Sequence, residues 1–439
     1  MTHPSPAPTG MLGRRVVFVD GARTPFGRAR PDGLFAHSRA DDLAVVVIRE
    51  LLRRNPDLPP HLVGEVALAA TSQVGDQGLT LGRTVALLAG LPQQVPGYAI
   101  DRMCAGAMTA TTQVAAQIAV GSIDVAIAGG VEHMGHHPLG AGADPNPRFV
   151  AEKLVDADAL VMGATAENLH DRYPALTRER ADAYGVASQQ RYEAARLAGR
   201  IDADIVPVAV RDPQRGWGLA TADEPPRPGT SLADIADLPT PFRPGGRVTA
   251  ATSSPLTDGA TACVLAAEDV ALQLGLAPRM RMLSFAYAGV DPAVMGVGPV
   301  PATHRALHQA GLTIEDIDAI EVNEAFAVQV LALLDELGIP DDATSVNPDG
   351  GAIAVGHPLA ASGVRLMVQL ARRFEADPSL RYGLTTMCVG LGQGGTVVWE
   401  NPHHADYVPS APTATTTATT TATTTATATS DDTRTETDR

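Results

Sequence analysis

The sequence predicts an α/β fold. Short apolar runs of strand length alternate with apolar-periodic runs of helix length through most of the chain. Of the 439 residues, 45% are hydrophobic but only 4% aromatic, a composition that suits sheets covered by Ala-, Val- and Leu-rich helices better than a β-sandwich. The length allows two or three domains around a large core.

In chain order, RRVVFVDGART (14–24) begins as a strand, and ADDLAVVVIRELLRR (40–54) has the spacing of a buried helix with Asp41 or Asp42 near its start. VALAATSQ (66–73) is the next strand. DRMCAGAMTATTQVAAQIA (101–119) joins a short apolar strand to a small-residue helix, and IDVAIAGGVE (123–132) is another strand ending in glycine. This alternation implies a largely parallel sheet covered on both faces. From about His133 to about Pro255 the chain turns polar and rich in Pro, Asp and Arg, with one strong helix in TRERADAYGVASQQRYEAARLAG (177–199). We read this as an excursion folding over one side of the core. The α/β pattern then returns. HLVGEVALAATSQ (61–73) and TIEDIDAIEVNEAF (313–326) both follow a helix and a Gly/Pro break and both run into a strand, a faint echo of two similar halves.

The ends differ from the middle. Residues 1–12 are Pro-rich, without the charged and apolar regions of a secretory signal. The Thr/Ala-rich, mildly acidic stretch after residue 401 cannot bury a core and is expected to be disordered. The formal charge of −16, with Lys153 the sole lysine, disfavours nucleic acid and anionic membranes as partners, and an anionic substrate would need local arginines. Three cysteines without CxxC spacing predict neither a disulfide framework nor zinc, and point to a reducing, cytoplasmic setting. No apolar run approaches the roughly 18 residues of a membrane span.

Four segments carry candidate chemistry. Cys104 sits at a helix start, where free N–H groups and the macrodipole would lower a thiol pKa from about 8.5 towards neutrality; a buried core cysteine is the ordinary alternative. His357 lies in VNPDGGAIAVGHPLAASGVRLM (346–367), among small residues that allow close approach, with a helix expected from Ala360 or Ala361. Cys388 ends a strand in YGLTTMCVGLGQGGTVVWE (382–400). The glycine turn after it is a weak phosphate loop, since another strand follows, and Gly390 serves better as an N–H aimed at an oxyanion. Asn323 and Glu324 stand at a strand end in IEVNEAFAVQV (320–330). His133, His136 and His137 in VEHMGHHPLG (131–140) lack a carboxylate or cysteine at ligand spacing, so we expect a polar loop and no metal.

Together these segments resemble the thiolase family over roughly residues 13–400. DRMCAGAMTA resembles its nucleophile segment, NEAFA its Asn loop, GGAIAVGHPLAASG its histidine loop and CVGLGQGG its second-cysteine loop; TAENL, TPFRPGGRVTAATSSPLTDGA and VMGVGPVPA are similar to family stretches as well. The resemblance implies two similar βαβαβαββ halves in five α-β-α-β-α layers, each half with a mixed five-stranded sheet. The boundaries would be 13–133 with 255–277, an inserted CoA-covering loop domain at 134–254, and 278–401, leaving a disordered leader (1–12) and tail (402–439). It implies Cys104 as the acyl-accepting nucleophile and His357 as the base that activates it and later deprotonates CoA. Cys388 would shuttle a proton at the α-carbon of acetyl-CoA. Asn323 would hold a water that, with His357, stabilises the enolate, and the N–H groups of Cys104 and Gly390 would form the second oxyanion site.

For CoA, the resemblance singles out Arg227 and Ser254, each with a solvated loop residue as the alternative. For the acyl chain it singles out Met162, Met295 and Phe326, with simple core as the alternative. Asp101 stands where asparagine is common, AGAMT replaces a Ser-Ser-Gly-Leu type sequence, Ala360 replaces a glycine, and Val161 stands where short-chain biosynthetic members carry histidine. These departures favour a degradative 3-ketoacyl-CoA thiolase of fatty-acid β-oxidation over an acetoacetyl-CoA thiolase. A non-catalytic lipid carrier and a fatty-acid condensing synthase are the other classes; the complete set of four polar catalytic side chains speaks against the first and the second cysteine against the other. The implied substrates are acyl-CoA and CoA, with no tightly bound cofactor. Homodimers or homotetramers and association with a hydratase/dehydrogenase are implied as partners.

Overall fold

A computed structural model describes residues 13–140, 142–214 and 216–410; the expected leader and positions 411–439 of the expected tail lie outside them. The first half runs β1 (Val16–Arg23), α1 (Ala40–Arg54), β2 (Val63–Ala69), α2 (Leu81–Ala89), β3 (Gly97–Ile100), α3 (Gly106–Ala119) and β4 (Val125–His133). An insertion carrying α4 (Met162–Arg172) and α5 (Arg178–Leu197) follows before β5 (Thr257–Ala267) closes the half. The second half runs β6 (Met280–Gly289), α6 (Pro299–Ala310), β7 (Ala319–Val322), α7 (Ala327–Leu337), α8 (Ser362–Ala376), β8 (Tyr382–Val389) and β9 (Gln393–Glu400). α1 coincides with the helix expected at 40–54, its acidic residues in the first turn and Arg53 and Arg54 in the last, complementing the helix dipole.

The echo between the halves becomes a matched topology. In the first half the strand order is β3-β2-β4-β5-β1, and in the second β7-β8-β9-β6, extended beyond β7 by a parallel bridge between Ile320 and Val346. β2 pairs parallel with β3 and β4, whereas β5 is antiparallel to β4 and β1; likewise β7–β8 is parallel, and β9 is antiparallel to β8 and β6. The sheet is therefore mixed, against the largely parallel one that alternation alone implied. The last two strands of each half are adjacent and antiparallel: a tight turn joins β8 to β9, and the long insertion returns β5 alongside β4. The two sheets also meet edge to edge, β1 pairing antiparallel with β6 from Val16–Met282 to Phe18–Met280.

Strand alternation sorts side chains into three apolar cores. Val125, Ile127 and Val131 of β4 pack with α1 and α2, while Ala126 and Ala128 face α3 and α8. On β8, Met387 and Val389 face that same central pair, and Leu384 and Cys388 face α6 and α7. The result is five layers, helices–sheet–helices–sheet–helices. The central helices approach closely through small residues; a Cβ at Gly363 would stand 2.5 Å from the backbone N of Met108. Past Asn401 the described chain folds back on the first half, Tyr407 and Ser410 donating to Glu268 while Arg15 donates to the Val408 carbonyl. Among the described residues no helix is long and apolar enough to cross a membrane.

Candidate active site

The central helix pair and the ends of the adjoining strands position the site. Cys104 lies in a 3-10 turn, Met103–Ala105, immediately before α3. Met103 adopts φ of +44°, an uncommon left-handed conformation for a side-chain-bearing residue. Asp101 holds it there, Oδ1 accepting the Met103 N–H at 2.6 Å. The backbone N–H groups of Cys104 itself and of Gly390, the two donors expected at an oxyanion, both reach the Cys104 sulfur. Gly390 stands in the turn just after β8, and Cys388, fully buried on that strand, is close enough for the two sulfurs to interact electrostatically.

The histidine arrives from the other direction. Gly356 precedes it with φ of +100°, and a Cβ there would meet Thr257 at 2.3 Å, so only glycine lets the chain pass. His357 is 4% exposed. Its Nδ1 lies 2.5 Å from Ser362 Oγ, and that hydroxyl donates to the Pro358 carbonyl at 2.9 Å. Ser362 therefore accepts from Nδ1–H, which leaves Nε2 with a free lone pair facing Asn323 Nδ2 at 3.2 Å. Asn323 thus bonds the ring directly. Its backbone N–H reaches Thr386 O on β8 at 3.0 Å, tying the Asn loop to the strand that carries Cys388.

Two buried carboxylates brace these loops, and sequence reading gave them no role. Glu324 accepts from Tyr184, Ser188, Asn347 and the Ile353 N–H, fastening the Asn loop to α5 and to the histidine segment. Glu132 accepts from Thr71 N, Gln77 Nε2 and Ala360 N, clamping the histidine loop of the second half to the first. The departures at 106 and 360 fit each other. A Cβ at Gly106 would stand 3.1 Å from the Ala360 methyl and 2.6 Å from that of Ala69, so the extra methyl at 360 is accommodated by the glycine opposite.

Electrostatics reverse one expectation. Burial pushes the Cys104 thiol up to about 11, and the Glu132 and Asp101 carboxylates add to the rise, outweighing the N–H donors that favour the thiolate. Burial and the neighbouring Cys104 sulfur push the Cys388 thiol up as well. Burial, then the Arg365 charge, lower His357 to about 3. The resting site is therefore thiol plus neutral imidazole. Asp101→Asn keeps the acceptor for Met103 and removes a charge; Cys104 alkylation by iodoacetamide at pH 7 is expected to quicken about threefold. An unchanged rate would show that Asp101 exerts no field on the sulfur.

A cavity of about 350 Å³ lies between the insertion and the core, lined by Arg28, Arg30, Gln189, Arg227, Thr230, Pro255 and Ile353 among others. Its inner wall reaches the site, because Pro255 O accepts the His357 N–H at 3.4 Å. Arg227 is an exposed loop residue on this cavity, its backbone N–H held by Gln189 Oε1 at 2.9 Å. Ser254 flanks it, between the lining residues Ala251 and Pro255. Arg28 and Arg30 were missed; an RAR loop after the first strand of an acidic chain was the available signal. Burial and the charges of Arg227 and Arg30 lower the Arg28 pKa, while Arg30 is itself paired with Asp32 and Glu224.

Met295 and Phe326 are buried in the same apolar cluster as Cys388, with Met162 packed against it. The Met162 sulfur lies 3.5 Å from the space a side chain at Gly390 would fill. The histidines at 133, 136 and 137 do have carboxylate partners, supplied from distant segments. Asp76 contacts His136 at 3.0 Å and His137 at 2.5 Å, and Asp258 lies 3.5 Å from His133. Among the described residues no group of three or more His, Cys, Asp or Glu is placed to hold a metal ion.

Residues 16–269 match the family model for the thiolase N-terminal domain and residues 276–401 that for the thiolase C-terminal domain. A 3-ketoacyl-CoA thiolase of Psychrobacter cryohalolentis is 44% identical over 386 residues, 88% of this chain and 97% of that protein. The crystal structure of human mitochondrial 3-ketoacyl-CoA thiolase superposes with a TM-score of 0.81 at 34% identity, covering 89% of this chain and all of that one. The acetyl-CoA acetyltransferase of Bacillus anthracis superposes at 0.80 with 35% identity, covering 89% and 99%.

Proposed function

The chain belongs to the thiolase family, and from that premise we propose that it cleaves 3-oxoacyl-CoA with CoA to acyl-CoA and acetyl-CoA in fatty-acid β-oxidation. It is an acyltransferase that takes acyl-CoA and CoA as substrates. What supports this reading is that the Gly390 N–H and the Cys388 sulfur both act on the Cys104 sulfur, while the His357–Asn323 pair is tied through Thr386 to the strand that carries Cys388.

Cys104 Sγ attacks the C3 carbonyl of the bound substrate as its proton passes to His357 Nε2. The C2–C3 bond breaks and its electron pair leaves as the enolate of acetyl-CoA, which Asn323 and His357 stabilise. Cys388 donates its proton to C2, and the imidazolium returns a proton to the Cys388 thiolate. CoA then attacks the Cys104 thioester, its proton moving to His357 and on to the departing Cys104 sulfur, while the N–H groups of Cys104 and Gly390 hold the oxyanion. Each acyl transfer runs from thioester to thioester, so the steps stay close to isoenergetic and reversible.

Arg227, with Arg28 and Arg30 beside it, supplies positive charge for the nucleotide phosphates, and Ser254 a nearby hydroxyl. The paired Arg28→Ala, Arg227→Ala variant is expected to raise KM for CoA about tenfold, and by less for 3′-dephospho-CoA; equal effects on both thiols would remove the phosphate from this cluster. Met162, Met295 and Phe326 line the acyl side. The enzyme works in the cytoplasm as a homodimer or homotetramer, a reading supported by β3, which ends the sheet among the described residues with an open edge. Association with a hydratase/dehydrogenase would pass it substrate.

The test is turnover of acetoacetyl-CoA against C8–C16 3-ketoacyl-CoA. Faster cleavage of the longer chains is expected. Equal or faster turnover of the C4 substrate would reassign the protein as an acetoacetyl-CoA thiolase.

A further inference from the structure

We propose that Arg365 is a positioning residue for the base: through Asn323 it fixes which nitrogen of His357 carries the proton and keeps that ring neutral. The inference rests on the proposed acyl transfer only for its turnover readout.

Arg365 lies on α8 and is 2% exposed. Its Nη2 donates to Asn323 Oδ1 at 3.3 Å, and its Nη1 donates to Gln369 Oε1. A guanidinium has donors only. Asn323 must therefore turn its oxygen to Arg365 and its NH₂ to His357 Nε2. Nε2 then has to accept, so the ring proton sits on Nδ1, where Ser362 receives it and relays its own to Pro358 O. The chain is pinned at both ends by groups that cannot reverse, the Pro358 carbonyl beyond Ser362 and the Arg365 guanidinium beyond Asn323. A neutral amide at position 365 could donate or accept, and Asn323 would be free to flip and favour the unproductive Nε2–H tautomer.

Charge acts in the same sense. Arg365 is bonded to neutral amide oxygens, and its charge disfavours a proton on His357. The other charged groups packed here are Glu321 and Glu324 on β7 and the loop after it, Glu132 on β4 through Ala360, and Arg23 with Asp223 farther back. Glu321 is already paired with Arg373 at 2.8 Å, so removing Arg365 takes away the positive charge that disfavours a proton on the ring and leaves Glu324 without that offset.

The experiment compares Arg365→Gln and Arg365→Lys with the parent by three readouts: kcat/KM and Cys104 alkylation by iodoacetamide, each from about pH 2.5 to 8 so that the acid limb near the His357 pKa is covered, and ¹⁵N shifts of His357 in labelled protein. For folded Arg365→Gln, kcat/KM is expected to fall about 100-fold, the acid limb of both profiles to rise by about one pH unit or more, and the Nε2–H tautomer to become populated. Arg365→Lys, still a cationic donor, is expected to retain the acid limb and the Nδ1–H tautomer. An unmoved acid limb and tautomer in Arg365→Gln would overturn the proposal. If that variant does not fold, Arg365→Lys decides: loss of the parental tautomer or limb overturns the proposal, and retention supports it. Should the parent lack turnover, the functional reading fails, while alkylation and NMR still judge Arg365.

Discussion

Cys388→Ala is expected to lower 3-oxoacyl-CoA cleavage by about 10³- to 10⁴-fold while leaving Cys104 able to accept an acyl group. In the proposed reaction the two sulfurs do different work. Cys104 would meet the carbonyl carbon, with two backbone N–H groups at its sulfur, whereas Cys388 is buried on β8 with its thiol pushed up, and would hold its proton until the α-carbon takes it. Removing Cys388 takes away the acid for the enolate and nothing needed for thioester exchange. Two rates separate these steps: deuterium exchange into the methyl group of acetyl-CoA, expected to collapse, and transfer of an acyl group between Cys104 and labelled CoA, expected to persist within about tenfold. Parental methyl exchange in Cys388→Ala would take the proton shuttle away from this residue.

His357→Gln should be more damaging, lowering acylation and thiolysis together by about 10⁴-fold or more. The resting thiol has no charge of its own to spend, since burial holds it near 11. Without an acceptor at the position of Nε2 neither Cys104 nor CoA can lose its proton in the transition state. A loss confined to KM would contradict this role. The substitution also has a signature in stability. His357 titrates at about 3 when folded, against an ordinary 6.5, so between those values the unfolded chain binds the extra proton. The parent therefore loses stability from this group as pH falls below 6.5, and His357→Gln does not. Denaturation midpoints at pH 7 and pH 5 are expected to lie closer together in the variant than in the parent.

Much of this was legible in the sequence because it depends on local pattern. α1 and the strands flanking the glycine turn at 390–392 fall where periodicity places them, and the helix after His357 starts as expected, through a 3-10 turn at Leu359–Ala361. Non-local choices were not legible. Strand direction in β4, β5, β8 and β9 depends on how long connections return, which alternation does not encode. The Cys104 pKa went the wrong way because a helix start was weighed without the burial and the two carboxylates around it. Glu324, Glu132 and Arg365 acquire roles only through partners from other segments, and Asp76 was absent from the histidine motif it binds for the same reason. Polarity along Arg365–Asn323–His357–Ser362 cannot be read from spacing at all.

In the proposed reaction Cys104 Sγ is the atom that carries the acyl group. Rapid quench after mixing with a 3-ketoacyl-CoA in the absence of free CoA, followed by intact mass and peptide mapping, tests it most directly. One acyl adduct on the peptide containing Cys104, discharged on adding CoA, is the predicted result. An adduct on Cys388 or Cys263, or turnover with no adduct on Cys104, would contradict it.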